Sequence, residues 1–188
     1  MLTLLVQRAK AERTNRNIHR ARGVSIASLI IILTHLFVSV LADEAELAIS
    51  AAAPDFVLAS SAGTNLRLSE YRGALVMLNF WSSSCGSCRD QLDWMNSLAE
   101  SEQFSGINIL SITTEADRHG EKHALHGRNL SFPVLFDTSK TVIRSYDPGK
   151  LPMLVMVDPH GNVRFIHEGY RAGDATQFEQ QLASLLAE

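Results

Sequence analysis

The sequence predicts an α/β domain built on a mixed β-sheet and placed behind an N-terminal hydrophobic segment. Three observations carry that expectation. Residues 74–81 (Ala-Leu-Val-Met-Leu-Asn-Phe-Trp) form a nearly unbroken apolar run, the mark of a strand covered on both faces. Strand-like runs on either side of it alternate with stretches whose apolar residues recur at helical spacing, the order that joins strands through helices. Near the C-terminus, two strand-like runs are separated only by Asp158-Pro159-His160-Gly161-Asn162, a turn-rich link that suits an antiparallel hairpin. One sheet containing both kinds of connection is mixed.

Taken in order, residues 1–42 read as a targeting segment. Arg8, Lys10, Arg13, Arg16, Arg20 and Arg22 precede twenty residues, 23–42, that carry no charge. A run of about 20 apolar residues can span a bilayer, and the basic flank stays inside, which places the rest of the chain outside the cytoplasm. Val40-Leu41-Ala42 also suits a signal-peptidase cut ahead of Asp43. The length of the segment favours an uncleaved anchor over a cleaved peptide, and a buried soluble helix is the third reading. Residues 43–53 are read as a linker, and 54–188 as the folded domain.

Within that domain, 56–58 and 66–68 flank Gly63-Thr64-Asn65 and predict a short hairpin. The central strand over 74–81 ends in Ser, Cys and Gly. A helix follows from Cys85 to Glu100, where Leu92, Met95, Leu98 and Ala99 share a face. Further strands are expected over 107–112, 132–136, 154–157 and 163–166, and further helices over 116–127, 139–146 and 175–187.

Charge and cysteine usage narrow the function. Residues 1–22 hold six Lys or Arg against one Glu, a surplus of five, so a chain of net charge -3 leaves -8 on the remainder. A mildly acidic domain lacks the basic patch that nucleic acid requires, and no nucleic-acid partner is expected. The only two cysteines, Cys85 and Cys88, close too short a loop to stabilise much in an oxidising compartment. As a dithiol they need one sulfur able to attack and a second near enough to resolve the mixed disulfide. At a helix N-terminus, Cys85 suits the nucleophile, because unpaired backbone N–H groups favour its thiolate, and Cys88 one turn on suits the resolving role. A zinc half-site and an inert packed pair are the competing readings; zinc takes four ligands, and there is no second cysteine pair.

Several motifs together resemble the TlpA/ResA-like thiol-disulfide oxidoreductases of the thioredoxin superfamily. Ala53-Pro54-Asp55-Phe56 is similar to that family's opening A-P-x-F, and Leu68-Ser69-Glu70-Tyr71-Arg72-Gly73 to its L-x-x-[YF]-[KR]-G. Val76-Met77-Leu78-Asn79-Phe80-Trp81 followed by Cys85-Gly86-Ser87-Cys88-Arg89 is similar to its V-x-L-N-F-W-x-x-x-C-x-x-C-R core. Leu151-Pro152 before Met153-Leu154-Val155-Met156-Val157-Asp158 is similar to its cis-proline segment. The resemblance implies a thioredoxin-like three-layer fold, a central mixed sheet flanked by helices. It also implies a cis bond at Pro152 packed against the cysteine pair, with the Leu151 backbone free to pair with a substrate peptide; Trp81 itself reads as core beside the active site, close enough to count with Leu151 and Pro152 among the substrate-binding candidates. Implied with these are protein thiol or disulfide substrates, an upstream membrane electron donor or acceptor, and a periplasmic or otherwise extracytoplasmic setting. Exported precursors such as apocytochrome c are the implied clients. No prosthetic group, cofactor or metal is expected.

The sequence also departs from that family. Ser84 stands where a Trp usually precedes the first cysteine, and Ser87 where Pro is common before the second. Gln91 replaces a Glu found in many members, Asp93 replaces a helix Pro, and Asn79 occupies the place of the buried Asp of cytoplasmic thioredoxins. The proton acceptor for the resolving thiol is therefore open, with Asp90 and Asp93 as candidates that also read as solvated helix residues.

Two rival functions remain. A copper- or metal-handling protein of the same fold would use the cysteines as ligands, but such relatives usually have three residues between them. A peroxiredoxin-like peroxidase would carry P-x-x-x-T-x-x-C, and Ser82-Ser83-Ser84-Cys85 lacks that Pro and Thr. His119, His123 and His126 share one face of the helix expected over 116–127 and could hold a metal there, although Arg118, Glu121 and Lys122 beside them read as a polar outer face. His160 reads as a surface turn residue, His167 as a satisfied sheet histidine, and Trp94 as either core or partner-facing.

Overall fold

The structure, a computed structural model, describes residues 47–113, 115, 125 and 127–188. The leader expected over 1–42, the start of the expected linker and most of the helix expected over 116–127, with His119, His123 and His126, lie outside them. Among the described residues no helix is long and apolar enough to cross a membrane.

Seven strands form one sheet: β1 (Val57–Ser60), β2 (Asn65–Arg67), β3 (Leu75–Trp81), β4 (Ile107–Thr113), β5 (Val134–Phe136), β6 (Met153–Val157) and β7 (Val163–Glu168). Their order across the sheet is β2-β1-β5-β4-β3-β6-β7. β3 runs parallel to β4 and antiparallel to β6, so the sheet is mixed. The expected hairpins are both present. β1 and β2 pair antiparallel with Leu58 opposite Leu66, and β6 pairs with β7 through a register shift at Met156/Val157. In the turn between the last two, Gly161 has φ +86° and lies against the Arg72 guanidinium, so a side chain there would meet both backbone strain and a clash.

Among the described residues, three α-helices cover the sheet: α1 (Gly86–Ala99), α2 (Thr141–Tyr146) and α3 (Asp174–Leu186). Alternation along β3 divides the interior. Leu75, Met77 and Trp81 face one cluster with Leu92 and Met95 of α1 and Phe178 and Leu182 of α3. Val76, Leu78 and Phe80 face a second cluster with Val142 and Tyr146 of α2 and with Leu68. Helices on both faces of a sheet make the three layers of a thioredoxin-like fold, and they explain why all seven residues of β3 are buried.

The backbone is tied to the domain from residue 50 on. Ser50 N–H donates to the Val163 carbonyl at 2.7 Å, Val163 N–H to Ala51 at 2.8 Å, and Ala53 N–H to Gly161 at 2.9 Å. Ala53 itself is buried. Residues 50–53 are thus fastened to the β6–β7 connection; a run of small residues carries no period that would reveal such pairing.

Tyr146 secures the next step. Its ring packs on Phe80 and meets Phe56 edge-on, and its hydroxyl donates to the Pro54 carbonyl at 2.8 Å. Burial raises the phenol's pKa, so it stays a donor at every physiological pH. Tyr146→Phe should keep the ring and strand the carbonyl, lowering stability by about 1 kcal/mol in urea denaturation; an unchanged midpoint would mean that this bond adds nothing.

Candidate functional site

β3 ends at Trp81, and a four-residue loop leads to α1. Cys85 N–H donates to the Ser82 carbonyl at 3.2 Å, which folds the loop back on itself. Ser83 N–H donates to Glu115 Oε1 at 2.6 Å. Glu115 follows β4, the parallel neighbour of β3, so the loop is held from the adjacent strand end. The sequence reading missed Glu115; its one signal was a carboxylate just past a strand expected next to the central one.

Cys85 is the N-cap of α1, and its Sγ accepts a hydrogen bond from Cys88 N–H at 3.2 Å. Ser87 Oγ stands 3.7 Å from the same sulfur. The two cysteines are joined in a disulfide with Cα atoms 5.3 Å apart. Cys85 is half-buried, whereas Cys88 has no exposed surface. When this bond is reduced, the helix N-terminus and the Cys88 N–H both favour negative charge on Cys85. One cysteine is partly exposed and the other is enclosed.

The Leu151–Pro152 peptide bond is cis. Phe80 pairs with Met153 in the β3/β6 ladder, which brings the residues just before Met153 alongside the end of β3 that feeds the cysteine loop. The Pro152 carbonyl accepts from Gly169 N–H at 2.7 Å, and Leu151 packs half-buried against both core clusters. Trp81 is only 2% exposed and fills the core under α1, in keeping with its reading as core; it offers no surface for the substrate contact also expected of it.

The carboxylates considered for the proton step lie elsewhere. Asp90 is exposed, and Asp93 is gripped by Arg128 through Nε and a second nitrogen. That guanidinium's hydrogen bonds hold the Asp93 carboxyl below its ordinary pKa. Three neutral polar side chains, Asn79, Gln91 and Ser111, are each fully buried. Trp94 packs on Tyr170 and Phe178 and donates to Glu179 at 3.0 Å, so it is tied into the core face. His167 Nε2 lies 2.7 Å from Gln181 Oε1 with its ring against Phe178, and His160 is an exposed turn residue. Among the described residues no three His, Cys, Asp or Glu side chains gather as metal ligands do.

Comparison with known proteins agrees with this geometry. Residues 49–166 match the AhpC/TSA family. The thiol-disulfide oxidoreductase ResA of Geobacillus thermodenitrificans is 31% identical over 134 residues, 71% of this chain and 77% of that protein. The ResA of Bacillus anthracis is 29% identical over 68% of this chain and 74% of its own length. Among solved structures, a putative thiol:disulfide interchange protein DsbE from Chlorobium tepidum superposes with a TM-score of 0.70 at 30% identity, covering 75% of this chain and 99% of that one. An exposed lipoprotein thioredoxin from Streptococcus pneumoniae superposes with a TM-score of 0.61 at 28% identity, covering 70% of this chain and all of that one.

The difference in exposure and capping between the two sulfurs has a direct chemical readout. In the reduced protein at mildly acidic pH, iodoacetamide should modify Cys85 before Cys88 in a mass-spectrometric time course; faster labelling of Cys88 would reverse their order.

Proposed function

The chain belongs to the AhpC/TSA family, among its ResA-like thiol-disulfide oxidoreductases, and from that premise we propose that Cys85 attacks and Cys88 resolves in disulfide exchange with exported proteins. One observation carries the assignment: a partly buried cysteine capping a helix N-terminus, bonded to a fully buried cysteine one turn on. In the reducing direction, the Cys85 thiolate attacks a client disulfide. One client sulfur leaves and takes up a proton, and the other stays bonded to Cys85. Cys88 then loses its proton and attacks Cys85 Sγ, which closes the disulfide and expels the second client sulfur. Two electrons have passed to the client, and the same steps reversed would deliver a disulfide.

The surroundings support a peptide substrate. The segment at Leu151 and Pro152 lies at the strand end beside the cysteine loop, where an extended client backbone would pair with Leu151. Re-reduction calls for an upstream membrane donor, and the charge pattern of residues 1–42 supports an extracytoplasmic site at the membrane. On the family resemblance, we take cysteine-bearing precursors such as apocytochrome c as the clients.

Two experiments test this reading. A Cys88→Ser chain should accumulate mixed disulfides through Cys85, visible as reductant-sensitive adducts on non-reducing gels, whereas Cys85→Ser should accumulate none; equal trapping by both would overturn the roles. Alkaline phosphatase fused after Glu188 in a bacterial host should be active, and an inactive fusion would place the domain on the cytoplasmic side.

A further inference from the structure

The segment between α2 and β6 runs beside the cysteine loop, and few bonds hold it there. Asp147 N–H closes α2 on the Ile143 carbonyl at 2.9 Å, and Pro148 has no N–H to give. From there to the Pro152 carbonyl, one hydrogen bond to the rest of the chain is present among the described residues: Gly149 N–H donates to Glu168 Oε1 at 2.7 Å. A β-carbon on Gly149 would stand 3.1 and 3.2 Å from the two Glu168 oxygens, so it is the lack of a side chain that lets the carboxylate lie against the backbone. Glu168 ends β7 opposite Met153, and the next residue, Gly169, donates to the Pro152 carbonyl at 2.7 Å. The end of β7 thus holds the segment on both sides of Leu151, by a side chain at Gly149 and by backbone at Pro152. Leu151 itself has neither its N–H nor its carbonyl bonded among the described residues.

On the oxidoreductase reading above, we propose that Glu168 is a positioning residue for client peptides: through Gly149 it holds the unpaired backbone of Leu151 in the extended form to which a client strand adds. A pairing edge that is set in advance loses less freedom when a peptide joins it, so the clamp acts on client binding. It does not act on the sulfurs. Neighbouring strands lie about 4.8 Å apart, and β6 stands between β7 and β3, so Glu168 ends a strand about 10 Å across the sheet from the one that feeds the cysteine loop. Its side chain is exposed and bonds to Gly149, not to that loop. Clients held by their backbone feel the loss of this carboxylate, and disulfides that have no backbone do not. A carboxylate that merely trims a surface loop would affect neither kind of disulfide, and one that supported the whole site would affect both.

Two disulfides that release the same chromophore separate these cases. One is dithiobis(nitrobenzoate), and the other is a short extended peptide whose single cysteine carries a thionitrobenzoate group. With the full chain reduced and freed of reductant, the Cys85 thiolate bonds to one sulfur and expels thionitrobenzoate, and Cys88 then loses its proton, closes the Cys85–Cys88 bond and releases the remaining thiol. Glu168→Ala should raise the peptide concentration that gives half the maximal rate by about threefold to tenfold, the worth of one hydrogen bond, with the maximal rate unchanged. Its rate with dithiobis(nitrobenzoate) should match the wild type, because at about 0.15 M salt a charge at that distance is largely screened. Glu168→Gln keeps an acceptor oxygen and should recover most of the loss. Equal losses with both disulfides, no loss with the peptide, or no recovery by glutamine overturns the proposal. A wild-type chain that stays joined to the peptide, with Cys88 failing to release it, would instead sink the oxidoreductase reading itself.

Discussion

The structure depends on the complete burial of β3. A strand with helices on both faces and neighbours on both edges has no freedom of register, because a one-residue slip would exchange its two apolar sets between clusters that differ in shape. That constraint fixes where Trp81 ends and hence where the cysteine loop begins. It also locates the Pro152 segment, since β6 reaches the site only through its antiparallel register with β3. The chemical groups come from distant parts of the chain, and the fold brings them together by aligning strand ends rather than by local sequence proximity.

Much of this architecture was legible beforehand for the same reason. The apolar run of β3, the helical stripe of Leu92, Met95 and Leu98, and the turn residues between β6 and β7 are signals set by nearby residues. Cys85 and Cys88 were legible because a cysteine pair before such a stripe has little else to do. Contacts between remote backbone and side-chain atoms left no trace. Nothing in Ser50-Ala51-Ala52-Ala53 announces a partner in Val163, and nothing in Glu115 announces Ser83. Trp81 was legible as core beside the site, but not as closed to a substrate, because its full burial is decided by where α1 lies.

The polar character around the disulfide is distributed unevenly. The carboxylates of α1 and of the loop's partner stay outside the core: Asp90 is exposed, Asp93 is paired with Arg128, and Glu115 is occupied with the loop. Amides and a hydroxyl are kept inside. An interior of neutral dipoles is less strongly penalised by burial than a carboxylate would be, since an ionised group there would lose far more hydration. The departures Asn79 and Gln91 therefore do not merely delete an acid; they change what kind of polar group the core must accommodate.

The fastening of residues 50–53 along the start of β7 has a consequence at the rim of the sheet. β7 and β2 are its two outer strands, and an open outer strand is a template for another chain to add to. At one rim, the bridge between Ala52 and Asn162 covers the first part of β7 with the chain's own backbone. At the other, β2 is only three residues long and carries Arg67 facing Asp55. With both rims blunted in this way, little of the sheet's edge is left as a template on which another extended chain could add.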